Sequence, residues 1–159
     1  MSILIKNVEL NKIKQDILIE GNVITKIGCG IECEANKIID GSDKAAVPGL
    51  TNGHTHAAMT LMRGYADDMQ LMPWLEDKIW PLENKITEED VYWGAKLACL
   101  EMIKSGTTLM VDMYHHLSAT ARATNEMGIR GMLTFAAFDF DQPNLSEKYK
   151  KKLEAYYQS

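Results

Sequence analysis

Strand-like and helix-like segments alternate along the sequence after Pro48 and Gly49, and this alternation limits the fold more than any other feature. Strands are predicted at 50–56, 107–114 and 131–140. The last two strands are mostly apolar, as strands covered on both faces are. Helices are predicted within 87–106, 118–127 and 145–159. This order predicts a parallel sheet whose strands are joined by right-handed helical crossovers.

The segment before Pro48 has no helical period and contains short β-runs separated by turn signals such as Asp40-Gly41. It predicts a small antiparallel β-unit, so domains are expected at 1–47 and 48–159. A closed eight-stranded α/β barrel needs about 250 residues, whereas this chain has 159. The second domain is therefore either an open three-layer sheet or the front part of something longer.

Local signals predict where the helices begin and end. Thr87 starts a capping-box-like sequence, and Gly106 is expected to end the helix that follows it. Gly128 is expected to end the next helix. A short helix is also predicted to start at Pro73 and to stop at Pro81, because proline interrupts helical hydrogen bonding.

Composition excludes several classes of function. Apolar residues make up 46% and charged residues 25% of the chain, as in ordinary globular proteins. The net charge of −5 gives no attraction for nucleic acid. No apolar run reaches the roughly 18 residues that span a bilayer, and the start of the chain lacks the features of a signal peptide. The three cysteines are expected to be reduced thiols, and the protein is expected to be cytoplasmic.

Two histidines, His54 and His56, flank one residue at the end of the first predicted strand after Pro48. Side chains two residues apart on a strand point to the same face, so both imidazoles can bind one divalent cation. Zn²⁺ and Fe²⁺ are the usual partners of nitrogen ligands. By itself the pattern is also compatible with two ordinary surface or hydrogen-bonded histidines.

Three longer segments decide between these interpretations. They are PGLTNGHTHAAMTLMRGYADD, LMPWLEDKIWPLE and EEDVYWGAKLACLEMIKSGTTLMVDMY. Together they resemble the amidohydrolase superfamily, and within it the methylthioadenosine/S-adenosylhomocysteine deaminase and chlorohydrolase group. The resemblance implies an α/β fold, with N-terminal β-sandwich strands followed by the first three βα units of an incomplete (β/α)8 metal-dependent hydrolase barrel.

The resemblance also implies roles for individual residues. His54 and His56 would bind one divalent metal, zinc or alternatively iron, and Glu83 would hold the ribose hydroxyls of an adenosine-type substrate. Trp74 lies where the family has aromatic residues of the substrate loop, although packing is an equal alternative. His115 would approach the substrate, or else be an ordinary loop histidine. Asp112 is expected to be a structural hydrogen-bond acceptor.

The family reaction is hydrolytic deamination, in which metal-generated hydroxide attacks adenine C6 and ammonia leaves. This sequence departs from the family pattern because no histidine follows His116. The later metal ligands and the groups that move protons are missing, so no catalytic residue is assigned within this chain. The chain is expected to be either the N-terminal part of such a deaminase, or a non-catalytic fragment that self-associates or pairs with a complementing C-terminal part. A chlorohydrolase or another aminohydrolase of the same group is a further alternative.

Overall fold

A computed structural model of the chain describes residues 1–134 and 151. Two compact units divide between Pro48 and Gly49. The end of the predicted strand at 131–140 lies outside the described residues, as does the predicted helix at 145–159 apart from residue 151. Within those residues, no helix combines the length and the apolar character that crossing a bilayer requires.

The first unit is a four-stranded sheet in the order β3-β2-β1-β4. Its strands are β1 Ser2–Leu10, β2 Ile13–Glu20, β3 Val23–Gly28 and β4 Lys37–Asp40. The first three strands are antiparallel neighbours, but β4 pairs with β1 in parallel. The prediction of a wholly antiparallel unit is therefore wrong for β4. A connection of several residues carries the chain from β3 to the opposite edge, whereas a tight hairpin would have returned it antiparallel.

A buried carboxylate organises the centre of this first sheet. Asp16 accepts hydrogen bonds from the backbone N–H groups of Asn7 and Ile31, each at 2.8 Å. Asn7 has a positive φ of 57° and lies where the pairing of β1 with β2 changes register. Asp16 thus supplies hydrogen-bond acceptors for backbone N–H groups at an irregularity where strand pairing supplies none. These hydrogen bonds, the Asn7 bond first, hold the pKa of Asp16 below its ordinary value despite burial.

The second unit contains a three-stranded parallel sheet in the order β5-β6-β7. Its strands are β5 Leu50–Thr55, β6 Thr107–Met113 and β7 Arg130–Thr134. Two long helices, α3 Glu88–Lys104 and α4 Leu117–Met127, connect them. The predicted parallel arrangement and its crossover helices are confirmed. Parallel pairing brings the carboxyl ends of β5 and β6 to the same edge of the sheet.

The predicted helix boundaries hold for both long helices. Thr87 caps α3 in a complete capping box, in which the Asp90 N–H binds the Thr87 hydroxyl and the Thr87 N–H binds the Asp90 carboxylate. Gly106 follows the end of α3 with φ +86°, and Gly128 caps α4 with φ +71°. These left-handed conformations are ones that glycine adopts without strain.

Four short helical segments lie between β5 and α3. A 3-10 helix, Ala57–Met62, directly follows His56, and a later run joins α1 Leu71–Trp74, a π-helical turn Leu75–Ile79 and α2 Trp80–Glu83. The prediction that Pro81 stops this helix is wrong, because the helix continues to Glu83. Regular α-helical hydrogen bonding does not run through this point, because the π-helical turn Leu75–Ile79 lies directly before α2. Pro81 is in the first turn of α2, a position where proline, which has no N–H, is tolerated.

The 3-10 helix is held against α3 by a close backbone approach. A Cβ added to Gly94 would lie 2.5 Å from the carbonyl oxygen of Ala58. The Thr60 hydroxyl donates to the Gly94 carbonyl at 2.8 Å. Because Gly94 has no side chain, the 3-10 helix that immediately follows the histidine pair can pack closely against α3.

Candidate metal and ligand site

The two histidine rings predicted to share a face do lie together at the end of β5. The Nε2 atoms of His54 and His56 are 3.4 Å apart, and the rings meet edge to face with centroids 5.0 Å apart. His54 is exposed and His56 is half-buried. Their imine nitrogens therefore converge on one point at the carboxyl edge of the parallel sheet.

The ring orientation of His56 is set by the neighbouring strand. Its Nδ1 lies 2.6 Å from the carbonyl oxygen of Met113, the last residue of β6. A carbonyl oxygen only accepts hydrogen bonds, so Nδ1 carries the proton in this contact. The neutral ring then has a free lone pair on Nε2, the atom that faces His54. Metal-binding histidines in general donate their other N–H to such a partner.

The distance between the two nitrogens suits a shared metal ion. Tetrahedral zinc with Zn–N bonds of about 2.0–2.1 Å requires ligand nitrogens about 3.3–3.4 Å apart, and the observed separation is 3.4 Å. Within the described part of the chain, no group of three or more His, Cys, Asp or Glu side chains is arranged to hold a metal ion. The pair therefore fits half of a tetrahedral site.

Asp112 supports the residue that follows His56. Its Oδ1 accepts the backbone N–H of Ala57 at 2.7 Å, and the side chain is fully buried. Its Oδ2 is buried without a hydrogen-bond partner among the described residues. Burial raises the pKa of Asp112, although the Ala57 N–H and the nearby histidines favour the anion. The predicted role of structural hydrogen-bond acceptor is confirmed.

A cavity of about 160 Å³ opens beside His56. Its walls include His56, Trp74, Glu83 and His115, the residues that sequence analysis assigned to metal or substrate, with the exception of His54. Trp74 is half-buried there, and its indole N–H donates to the Ala66 carbonyl at 3.0 Å. The indole thus both anchors its loop and forms an apolar wall, so its two predicted roles are compatible.

Glu83 and His115 form the charged end of this cavity. His115 Nε2 and Glu83 Oε2 are 3.6 Å apart, with Glu83 13% and His115 55% exposed in their side chains. Burial opposes ionisation of Glu83, but the contact with His115 and the nearby Tyr114 hydroxyl outweigh it and lower the pKa of Glu83. In return the contact with Glu83 raises the pKa of His115. Glu83 is therefore an ionised acceptor facing the cavity.

Tyr114 is a polar wall residue that was not predicted from the sequence. Its side chain is 6% exposed and its hydroxyl has no completed hydrogen bond among the described residues. Burial, followed by the charge of Glu83, raises its pKa. A signal was present in the sequence, because Tyr114 follows Met110 and Asp112 at the two-residue spacing of one strand face. The ion pair with Glu83 is made by His115, whereas His116 occupies the N-cap position of α4 with a left-handed φ of 50° and no side-chain cap bond.

Solved structures with this fold include a zinc-bound adenosine deaminase from Xanthomonas campestris. It is 31% identical, with a TM-score of 0.75, and the match covers 82% of this chain and 33% of that one. An atrazine chlorohydrolase from Arthrobacter aurescens has a TM-score of 0.76 and 23% identity, and covers 88% of this chain and 37% of that one. The second similarity supports the fold alone.

The chain matches the amidohydrolase family over residues 45–158. This match spans well over half of the sequence, and the chain belongs to the amidohydrolase family.

Curated relatives with similar sequences are adenosine-type deaminases. The 5'-deoxyadenosine deaminase of Methanocaldococcus jannaschii is 52% identical over 156 residues, which are 97% of this chain and 37% of that protein. The 5-methylthioadenosine/S-adenosylhomocysteine deaminase of Carboxydothermus hydrogenoformans is 50% identical over 163 residues, or 97% and 38% of the two chains. This chain thus spans little more than a third of the length of either relative.

Proposed function

We propose that this chain forms the first part of the active site of a metal-dependent aminohydrolase that acts on adenosine-type compounds. In this proposal His54 and His56 bind the metal, and Glu83 binds the ribose. The main observation behind this proposal is that His56 and Glu83 line the same cavity. His56 is also paired with His54. A nucleoside that spans the cavity would place its base near the metal pair and its sugar near Glu83.

Each of these residues has a definite task. His56 presents its Nε2 lone pair because Nδ1 is engaged by the Met113 carbonyl. Glu83, ionised, accepts hydrogen bonds from both hydroxyls of a vicinal diol. Trp74 offers an apolar surface and excludes water from the ligand. A divalent metal, when bound, would activate water for hydrolysis.

The candidate substrates and metal are proposed by analogy with the relatives. Methylthioadenosine, S-adenosylhomocysteine and 5'-deoxyadenosine are the candidate substrates, since these compounds name the relatives that share about half of their residues with this chain. A carboxylate at Glu83 favours these ribose-bearing compounds over triazines. Zinc is favoured over iron by the zinc-bound deaminase relative, and the distance between the two histidine nitrogens is compatible with zinc.

We also infer that the three parallel strands are the first three of an eight-stranded barrel, and that the 159-residue chain alone does not turn over substrate. Two histidine ligands are too few for a catalytic zinc site, which normally has three protein ligands. β5 is an edge strand among the described residues, with Leu50 60% exposed. These features favour self-association or pairing with a complementing C-terminal part.

Zinc titration of the 159-residue chain tests the metal proposal. Calorimetry is expected to show one zinc ion per chain, and H54A and H56A are each expected to weaken binding by at least about tenfold. H116A removes an imidazole outside the pair and serves as the matched control. Equal zinc affinity in H54A, H56A and the unchanged chain contradicts the assignment.

Two further measurements separate enzyme from fragment. An adenosine deaminase assay on the zinc-loaded chain is expected to show no turnover, and clear turnover well above contaminant level contradicts the inferred incompleteness. The DNA immediately downstream distinguishes the alternatives. An in-frame continuation with further histidines and an aspartate supports a longer deaminase, whereas a separate gene for the remainder supports a complementing pair.

A further inference from the structure

The hydroxyl of Tyr114 is buried without completing a hydrogen bond among the described residues. The side chain is only 6% exposed, so bulk water does not solvate it freely. A buried hydroxyl without a partner destabilises a fold, and phenylalanine would fill the same space without that cost. A polar group supplied from outside the fold would remove the cost.

The position of Tyr114 shows where such a group would come from. Its ring lies 6.3 Å from the ring of His56 and 5.2 Å from the ring of His115, measured between centroids. It lines the same cavity as Glu83. Burial and then the charge of Glu83 raise the pKa of Tyr114, so the hydroxyl lies close to the Glu83 carboxylate, at the end of the cavity where the proposed function puts a ribose.

The chemistry of the two neighbours is complementary. An ionised carboxylate such as Glu83 only accepts hydrogen bonds, so it uses the O–H protons of a diol. The diol oxygens keep lone pairs after donating those protons. The phenol O–H of Tyr114 can donate a hydrogen bond to one of these lone pairs.

We propose that Tyr114 is a ligand-binding and specificity-determining residue, whose hydroxyl donates a hydrogen bond to a ribose hydroxyl oxygen held by Glu83. This proposal rests on the proposed function, because it requires a nucleoside in the cavity. Tyr114 and Glu83 together would select a ligand that carries a vicinal diol.

The test compares the binding of adenosine and 2',3'-dideoxyadenosine to the 159-residue chain with zinc present, measured by calorimetry. The unchanged chain is expected to bind adenosine more tightly. Y114F removes only the hydroxyl oxygen, so it is expected to weaken adenosine binding about 3- to 10-fold and to leave dideoxyadenosine binding unchanged. Y65F is the matched control, since it removes the same atom from a tyrosine that is 53% exposed.

The binding results distinguish a wrong role for Tyr114 from a wrong proposed function. If the unchanged chain does not prefer adenosine, both are overturned. If it prefers adenosine and Y114F keeps the full preference, only the role of Tyr114 is overturned.

Thermal unfolding without nucleoside provides a second, independent readout. If the hydroxyl lacks a partner in the free protein, Y114F is expected to melt at the same temperature or higher. A melting temperature several degrees lower than that of Y65F would instead mean that the hydroxyl is a structural group bonded within the fold, for example to Glu83. That outcome overturns the inference.

Discussion

The imidazole of His56 donates its Nδ1 proton to the carbonyl oxygen of Met113 across 2.6 Å. This contact joins the ends of two neighbouring parallel strands, β5 and β6. It determines which nitrogen of His56 is available to a ligand, and it does so through a backbone atom that side-chain substitution cannot remove. The geometry of the histidine pair therefore depends on the correct pairing of β5 with β6.

Replacing Asp112 is expected to loosen this strand end. D112A leaves the buried Ala57 N–H without its 2.7 Å acceptor, which should cost about 1–3 kcal/mol of unfolding free energy. D112N keeps an acceptor oxygen and should cost less. Urea denaturation gives the free energies, and zinc titration of the same variants should show weaker binding in D112A. Unchanged stability and zinc affinity in D112A would mean that Asp112 does not support the histidine pair.

G94A tests the contact between α3 and the 3-10 helix. Alanine normally stabilises a helix interior relative to glycine by about 0.5–1 kcal/mol. Here its Cβ would lie 2.5 Å from the Ala58 carbonyl oxygen, and such overpacking costs about 1–3 kcal/mol, so the steric cost should dominate. Urea denaturation should show a net loss of stability. G28A, at a glycine with open space around it, is the control, and a stabilised G94A would disprove the close approach.

The Glu83–His115 pair predicts a pH dependence at the cavity. Glu83 raises the pKa of His115, so the attraction is fully present below the ordinary histidine value of about 6.5. It is lost as pH rises through the higher folded-state pKa. In E83Q the pKa of His115, followed by NMR of the imidazole, should fall towards its ordinary value. E76Q, on an exposed site of the preceding π-helical turn, should leave it unchanged, and an equal shift in both variants would exclude a specific contact.

Asp16 predicts an acid-side loss of stability in the first unit. Its folded-state pKa is lowered, chiefly by the Asn7 N–H, so its contribution is fully present above the ordinary aspartate value of about 3.9. That contribution is lost as pH falls through the lower folded-state pKa. Denaturant unfolding between pH 2 and 7 should show a weaker acid-side dependence in D16N than in the exposed-site control D43N. Identical pH profiles for the two variants would contradict this role.

Local sequence signals were sufficient where a structure depends on near neighbours. The capping box at Thr87 and the glycines after α3 and α4 act within one helical turn, and they were predicted correctly. Pro81 was misjudged because its effect depends on where a helical segment begins. The parallel pairing of β4 was missed because it depends on how the connection from β3 crosses the sheet.

The alternation of strands and helices, the family and the histidine pair could all be predicted from the sequence, since they are properties of residue types and their spacing along the chain. Which side chains and backbone groups contact one another depends on the tertiary fold. It brought Met113 to the His56 ring, Asp112 to the Ala57 N–H, and Glu83 to His115. These partners are 32 to 57 residues apart in sequence. The physical reason is that parallel pairing aligns the ends of β5 and β6, while the packing of the intervening helices determines which side chains face the cavity between them.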